Sequence, residues 1–231
     1  MSLFQFCQFD LYQERCAHRL GTDSMLLGCW LNPYAERILD IGTGSGVLAL
    51  MLAQRNPQSQ IDAIDIDAES VEQAQQNFAS SPWSERIQGF QADVKNWQQQ
   101  DYDLLICNPP YFETPKRAAQ LARANARHMD TLTHDEILSH ARHLLKPTGR
   151  LAMVLPLQAA TDLRRALAAP WHIARWCQVR HSIQHPYKRV LMELTLQAQA
   201  TEETEFEIHA PDGGYSPAYL ALTAGMHVVN G

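Results

Sequence analysis

Short apolar runs alternate with amphipathic segments along most of the chain, an order that predicts strands joined by helices. Buried strands are predicted at 37–41, 61–66, 86–91, 102–107 and 150–155. The segments between the first strands have helical spacing. Asp67, for example, is a suitable N-cap for a helix that places Val71, Ala74 and Phe78 on one face. Strands that alternate with helices in this way form a parallel sheet.

The second half of the chain predicts a different ending. Thr133 and Glu136 have the spacing of a capping box, and Pro147-Thr148-Gly149 ends the helix that they begin. A helix at 159–168 precedes strands at 172–180 and 189–197, which only a short link joins, so these two strands should run antiparallel. We therefore expect an α/β, Rossmann-like fold with seven mostly parallel strands, the last one antiparallel. The tail predicts a strand near 206–209, a turn at 211–214 and a helix from Pro217.

Composition narrows the class of protein. Hydrophobic residues make up 45% of the 231 residues and charged residues 19%, as in ordinary globular proteins. No apolar run approaches the roughly 20 residues that span a bilayer, and the first residues do not resemble a secretory signal. We expect a cytoplasmic monomer without membrane contact. Five widely spaced cysteines, with no Cys-x-x-Cys pair, predict reduced thiols and no metal site.

Charge is distributed unevenly along the sequence. The net charge is −6, yet residues 113–192 hold thirteen of the nineteen Lys and Arg and only five of the twenty-five Asp and Glu. That stretch therefore carries +8 and the remainder −14. Such a separation predicts either a face that binds a polyanion or ordinary solvated helix charge.

A glycine-rich loop, Asp40-Ile41-Gly42-Thr43-Gly44-Ser45-Gly46, follows the first strand of the sheet and opens a helix. Its glycines allow a sharp turn and the close approach of a ligand to the helix N-terminus. The spacing matches neither a P-loop nor the Gly-x-Gly-x-x-Gly of dinucleotide-binding proteins. Asp40 would repel a pyrophosphate but attract the ammonium and sulfonium groups of S-adenosylmethionine, so Asp40, Gly42 and Gly44 are predicted to bind that cofactor.

Two further carboxylates follow the next two strands. Asp65 ends the second strand, where a carboxylate can bind both ribose hydroxyls of a nucleoside. Asp93 follows the third strand and is placed to accept a hydrogen bond from the adenine amino group. Each alone is typical of a solvated carboxylate, whereas together behind successive strands they predict one cofactor site.

The sequence Asn108-Pro109-Pro110-Tyr111 follows the fourth strand at the edge of the sheet where ligands bind in such folds. The lone pair of an adenine amino group is delocalised into the ring, so the nitrogen is a poor nucleophile. The side-chain oxygen of Asn108 and the carbonyl of Pro109 can accept both N–H bonds and draw the nitrogen towards tetrahedral geometry. Tyr111 offers a ring on which a base can stack.

These features resemble class I methyltransferases with an Asn-Pro-Pro-Tyr signature, which modify adenine N6 or the glutamine amide of release factors. The resemblance is closer to the bacterial tRNA1(Val) adenine N6-methyltransferase family and extends over almost the whole chain. It rests on the stretches 20–30, 108–112, 189–193 and 215–219. Ser24 and Thr43 depart from it, because glycine and alanine are commoner at these two positions.

The resemblance implies methylation of the adenosine beside the anticodon of a tRNA, adenine 37. It implies one domain over 1–231, in which residues 1–35 contribute to the cofactor pocket and 200–231 form an extension. It adds Thr22 and Asp23 to the cofactor pocket, to which Asn108 also belongs. The predicted catalytic residues are Asn108, Pro109 and Tyr111, and the predicted substrate-binding residues are Pro110, Tyr111, Phe112, Arg123, Arg127 and Arg189.

Several alternatives stay open at this point. Thr22 and Asp23 have the residue types of a helix cap, and Arg189 could pair with a carboxylate inside the fold. Phe4, Phe6 and Phe9 either pack on the sheet or stack on a base. The functional rivals are a protein glutamine N5-methyltransferase, adenine N6-methylation of another RNA, and an NAD(P) oxidoreductase or a non-catalytic nucleotide-binding module. The glutamine enzymes usually carry an N-terminal helical domain, for which about 35 residues leave little room.

Overall fold

The computed structural model describes residues 3–16, 19–109 and 132–226, which form the predicted alternation of strands and helices. In chain order the elements are β1 (Leu3–Gln5), β2 (Asp10–Tyr12), α1 (Thr22–Trp30), β3 (Arg37–Ile41), α2 (Val47–Arg55), β4 (Gln60–Asp65), α3 (Ala68–Ala79), β5 (Ile87–Gln91), a 3-10 turn (Val94–Asn96), β6 (Tyr102–Cys107), α4 (His134–Leu144), β7 (Leu145–Pro156), α5 (Leu157–Ala166), β8 (His172–Arg180), β9 (Tyr187–Thr195), β10 (Glu202–Glu207) and α6 (Pro217–Thr223).

The large sheet has eight strands in the order β5-β4-β3-β6-β7-β9-β8-β10. Only β9 runs antiparallel to its neighbours β7 and β8, which confirms the predicted antiparallel pair. The predicted count of seven strands is wrong, because β10 adds an edge strand parallel to β8. The last strand of the chain is therefore not the antiparallel one. The strand predicted near 206–209 corresponds to β10, which begins earlier, at Glu202, because its first four residues are exposed and lack an apolar pattern.

Most other boundaries agree with the sequence to within two residues, and the predicted cap of α4 is present in full. The side chain of Thr133 accepts from the backbone of Glu136, and the Glu136 side chain accepts from the backbone of Thr133. The predicted break at 147–149 is a bulge inside β7. The pairing with β6 moves from Tyr102 with Leu145 directly to Leu104 with Arg150.

The sheet separates two apolar cores. One lies under α1, α2 and α3, and the other under α4 and α5. Alternation along β6 shows the division, since Leu104 and Ile106 join the first core while Leu105 and Cys107 join the second. The same period of two directs the side chain that follows Cys107 towards α1.

The N-terminal aromatic residues pack into the first core. The rings of Phe6 and Phe9 are stacked with centroids 4.2 Å apart, and Phe9 meets Trp83 edge-on. Both phenylalanines are buried, and Phe4 lies against Phe6 at 5.0 Å. Of the two alternatives, packing applies to Phe6 and Phe9, because buried rings have no open face for a base.

Helix α1 fits closely against α2. A Cβ on Gly28 would lie 2.6 Å from Cε of Met51, so a larger residue there would require the flexible end of the Met51 side chain to move. Arg55 of α2 donates to the carbonyl oxygens of Gly28 and Leu31, at 2.6 and 2.9 Å, and ties down the end of α1. The position of α1 over the sheet is therefore set within narrow limits.

Candidate active site

Four neighbouring strands end together at the carboxyl edge of the sheet. In the register, Ile41 pairs with Ile64 and with Cys107, and Asp65 pairs with Gln91. The residues that follow β3, β4, β5 and β6 are therefore side by side, as the sequence predicted for parallel strands. At a spacing of about 4.8 Å between strands, this row is about 14 Å long.

The loop after β3 forms an open cradle. Gly42 and Gly44 have φ angles of +71° and +55°, which residues other than glycine rarely adopt. A Cβ on either residue would meet no atom within 4 Å. The same loop is held from beneath, where Gly42 and Thr43 donate to the carbonyl oxygen of Ile64 at 2.9 and 3.0 Å. The loop is therefore fixed to β4 by backbone hydrogen bonds, and the space next to Gly42 and Gly44 is open.

Asp40 lies under this loop and is fully buried. Its Oδ2 accepts from the Thr43 hydroxyl at 2.6 Å, whereas Oδ1 has no hydrogen-bond partner in the described part of the chain. Burial raises the pKa of Asp40 to about 7, although the Thr43 hydroxyl and the Ala49 backbone N–H favour the charged form. The site thus contains a buried carboxyl group whose charged form is disfavoured by its surroundings.

Asp65 connects two backbone segments at the end of β4. Its Oδ2 accepts from the Gly44 N–H at 2.9 Å, and its Oδ1 accepts from the Asp67 N–H at 3.0 Å. Burial raises the pKa of Asp65, and these N–H groups oppose the shift. Asp67 itself caps α3 by accepting from Ser70, as predicted. Each oxygen of Asp65 receives one N–H, which leaves lone pairs for a further donor.

Asp93 and Ile66 complete the row on the β5 side. Asp93 caps the 3-10 turn by accepting from the Lys95 N–H at 2.9 Å through Oδ1. Ile66 follows Asp65 and is 46% exposed, which gives the edge an apolar contact surface beside two carboxylates. Sequence reasoning missed Ile66, because an isoleucine at a strand end predicts burial.

Asn108 follows β6 and its side chain lies against α1. Its Nδ2 donates to the hydroxyl of Ser24 at 2.8 Å, although 84 residues separate the two. Oδ1 accepts no hydrogen bond from the described residues. The direction follows from the period of two along β6, in which Leu104, Ile106 and Asn108 point to the α1 side. Sequence reasoning did not find this role of Ser24.

The first turn of α1 brings Asp23 to the same edge. The Nε of Arg189, at the start of β9, donates to Asp23 Oδ2 at 3.0 Å. Arg189 thus pairs with a carboxylate inside the fold, the alternative to a direct substrate contact. The helix begins at Thr22 with Gly21 as N-cap and no side-chain cap, so the capping alternative for Thr22 and Asp23 is wrong. Thr22 is exposed beside this pair.

Most of the predicted substrate-binding residues lie outside the described residues. Pro110, Tyr111, Phe112, Arg123 and Arg127 lie outside the described residues. Pro109 is described and buried. The described part of the site therefore comprises the predicted cofactor residues, Asn108, Pro109 and Arg189.

The charge separation along the sequence does not persist in space among the described residues. Acids from outside 113–192 pair with the basic side chains inside it: Arg164 with Glu203, Arg175 with Glu193 and Glu202, Arg180 with Glu207, Arg150 with Glu193, Lys146 with Asp103 and Arg189 with Asp23. Residues 132–192 hold nine Lys and Arg and three Asp and Glu, an excess of +6, and acids from outside this stretch pair with six of the nine basic side chains. Charge alone therefore does not mark a polyanion-binding face among the described residues.

The described residues contain neither a candidate metal site nor a candidate membrane span. No group of three or more His, Cys, Asp or Glu side chains among them has the arrangement of a metal site. Within 3–16, 19–109 and 132–226, no helix combines the length and apolarity needed to cross a membrane.

Comparison with known proteins relates this geometry to a family. The sequence-family model of the methyltransferase small domain matches residues 16–169. The tRNA1(Val) (adenine(37)-N6)-methyltransferase of Tolumonas auensis is 43% identical over 95% of this chain and 94% of its own length. The enzyme of the same name from Vibrio campbellii is 41% identical over 97% of this chain and 95% of its own length. The chain belongs to the tRNA1(Val) (adenine(37)-N6)-methyltransferase family.

Solved structures confirm the fold of this family member. A protein described as a predicted O-methyltransferase from Agrobacterium tumefaciens superposes with a TM-score of 0.68 at 19% identity, covering 90% of this chain and 98% of that one. The ribosomal protein L11 methylase of Lactobacillus delbrueckii gives a TM-score of 0.51 at 18% identity over 74% of this chain and 76% of its own. The predicted class I methyltransferase fold is thus confirmed, with one strand more than expected.

Proposed function

We propose that this chain transfers the methyl group of S-adenosylmethionine to N6 of adenine 37 in tRNA1(Val). The names of the relatives support the target, and the site supports the chemistry. One observation carries the chemistry: the Asn108 amide stands at the end of β6 with Nδ2 bound to Ser24 and Oδ1 without a hydrogen bond from the described residues.

The row at the carboxyl edge fits S-adenosylmethionine in extended form. Asp93 would accept from the adenine amino group, Asp65 would bind the ribose hydroxyls, and the cradle over Gly42 and Gly44 would hold the methionine part. A cationic ligand would favour the charged form of Asp40 beneath the loop, whose buried Oδ1 has no partner among the described residues. Bound in this order, the cofactor supplies an electrophilic methyl group next to Asn108.

Asn108 and Pro109 act on the acceptor nitrogen. Asn108 Oδ1 accepts one N–H of the adenine amino group and the Pro109 carbonyl accepts the other. These bonds draw the nitrogen towards tetrahedral geometry and direct its lone pair at the methyl group. A new nitrogen–carbon bond forms as the sulfur–carbon bond breaks, and the cationic product nitrogen then loses a proton to water. The proposed role of Asn108 is orientation, so no general base is required.

Arg189 and Asp23 would have a supporting role. Their ion pair fixes the first turn of α1 against β9, and we propose that it shapes the wall between cofactor and acceptor. Tyr111 would stack on the target base, and Phe112, Arg123 and Arg127 would contact the RNA. A monomer in the cytoplasm, where tRNA is modified, suits this function.

A methyl-transfer assay with labelled S-adenosylmethionine tests the proposal. The acceptors are a tRNA1(Val) transcript, the same transcript with guanine at position 37, and a release-factor peptide that contains the target glutamine. We expect label in N6-methyladenosine with the first acceptor alone. Label in the peptide but not in the tRNA would establish the glutamine rival. Label in the guanine-37 transcript would place the modified adenine elsewhere in the RNA.

A further inference from the structure

Ser24 bears directly on how Asn108 is oriented. The serine lies in the first turn of α1, is 9% exposed, and has its hydroxyl oxygen 2.8 Å from Asn108 Nδ2. The described residues offer Asn108 no other side-chain hydrogen bond. The orientation of the amide therefore depends on one hydroxyl group that comes from a distant part of the chain.

The orientation matters because the two ends of an asparagine amide have nearly the same shape and opposite chemistry. Oδ1 accepts hydrogen bonds and Nδ2 donates them. An amino group that is to be methylated offers two N–H donors, so only Oδ1 can hold it. A flipped amide would set donor against donor and repel the acceptor nitrogen.

We propose that Ser24 is a positioning residue, which keeps Nδ2 of Asn108 on the α1 side and Oδ1 towards the acceptor amine. This inference rests on the proposed function. Because a hydroxyl group can accept or donate, Ser24 anchors the amide, and the orientation that we assign is the one in the structure, in which Nδ2 donates to the Ser24 hydroxyl. A neutral hydrogen bond is worth about 0.5–1.5 kcal/mol, which corresponds to a rate effect of about two- to tenfold.

The test compares Ser24→Ala with Ser24→Thr and with a matched control, Ser81→Ala. Ser81 is also buried, but its hydroxyl bonds to the carbonyl of Phe78, away from the site. We expect Ser24→Ala to lower kcat on tRNA1(Val) by about two- to tenfold, with an unchanged Kd for S-adenosylmethionine and an unchanged KM for tRNA. Ser24→Thr restores the hydroxyl and should recover most of the rate. Ser81→Ala should lower Tm without changing kcat.

A double-mutant comparison separates positioning from a general structural role. In single-turnover reactions, Ser24→Ala should slow the wild-type protein but leave the residual rate of Asn108→Ala unchanged, because the amide on which Ser24 acts is gone. An equal fall in both backgrounds, a weaker Kd for the cofactor, or a wild-type kcat in Ser24→Ala would each overturn the role of Ser24. Absence of methyl transfer to any RNA by the wild-type protein would overturn the proposed function as well.

Discussion

The two edges of the large sheet treat their carboxylates in opposite ways. At the amino edge, Asp103 accepts from the N–H groups of Glu36 and Arg37 at 3.1 and 2.9 Å and from Lys146 Nζ at 2.6 Å. Burial works against its charge, yet Lys146 and these N–H groups hold the pKa of Asp103 below its usual range. At the carboxyl edge, Asp40 has one side-chain partner and a pKa raised to about 7.

The difference separates an edge that stabilises the fold from the edge at which we propose that the ligand binds. A carboxylate with several donors stabilises the fold in its charged form, whereas a buried one with a single partner is costly to ionise. At the carboxyl edge, Oδ1 of Asp40 and Oδ1 of Asn108 accept no hydrogen bond from the described residues. Substitutions at matched positions on the two edges should therefore change different measured quantities.

The largest effect is expected for Asn108→Ala. Loss of the oriented acceptor should lower methyl transfer by about 100- to 1000-fold, as for other groups that act only in the transition state, while the Kd for S-adenosylmethionine stays nearly unchanged. Single-turnover rates and calorimetry measure both. A variant that kept more than about a tenth of the rate, under 1.4 kcal/mol of barrier, would contradict the proposed orientation.

A smaller effect is expected for Asp65→Ala, with Asp62→Ala as its control. Both aspartates are in β4, but Asp62 lies towards the amino edge and bonds to the hydroxyl of Tyr102 at 2.6 Å. We expect Asp65→Ala to weaken S-adenosylmethionine by about 1.5–3 kcal/mol and Asp62→Ala to leave its Kd unchanged. Equal Kd values for Asp65→Ala and wild type in a calorimetric titration would remove Asp65 from the site.

The smallest effect is a dependence of stability on pH. Because the folded pKa of Asp40 is raised from 3.8 to about 7, its neutral form contributes stability that is lost as pH rises through this range. Relative to Asp40→Asn, the wild-type protein should lose about 1–2 kcal/mol of unfolding free energy between pH 5 and 7. Urea denaturation at pH 5, 6 and 7 measures this change.

Asp103→Asn is the control at the opposite edge. With a lowered pKa, Asp103 contributes stability above its unfolded pKa, so its difference from wild type should be constant between pH 5 and 7. Parallel curves for wild type and Asp40→Asn would show that Asp40 does not titrate in this range.

Local patterns predicted most of the fold and the row of residues that follow the strands at the carboxyl edge. The capping box at Thr133 and the cap at Asp67 involve residues three apart, so the sequence contains both partners. Parallel strands then bring their ends together, which places Asp65 beside the glycine loop. These features require no knowledge of distant contacts.

Contacts between segments that are distant in the sequence could not be predicted from local patterns. The bond between Ser24 and Asn108 depends on where α1 lies over the sheet, and the ion pairs that neutralise Arg175 and Arg180 come from β9 and β10. The first four residues of β10 are exposed and mostly acidic, so the sequence predicts a strand only near 206–209. Each of these needs the tertiary arrangement that the pattern of a single segment does not contain.

The ion pair between Asp23 and Arg189 has a consequence for synthesis of the protein. Helix α1 has nine residues and is buried at six consecutive positions, so it is too short and too apolar to be stable alone in water. Its partner Arg189 is made 166 residues later, after about 10–30 seconds of translation. During that interval α1 can pack against α2, which is made soon after it, but its first turn lacks the partner of Asp23. The last step of site assembly therefore waits for β9, and an arrested nascent chain would contain every residue of the cofactor row and lack the ion pair that holds α1 over it.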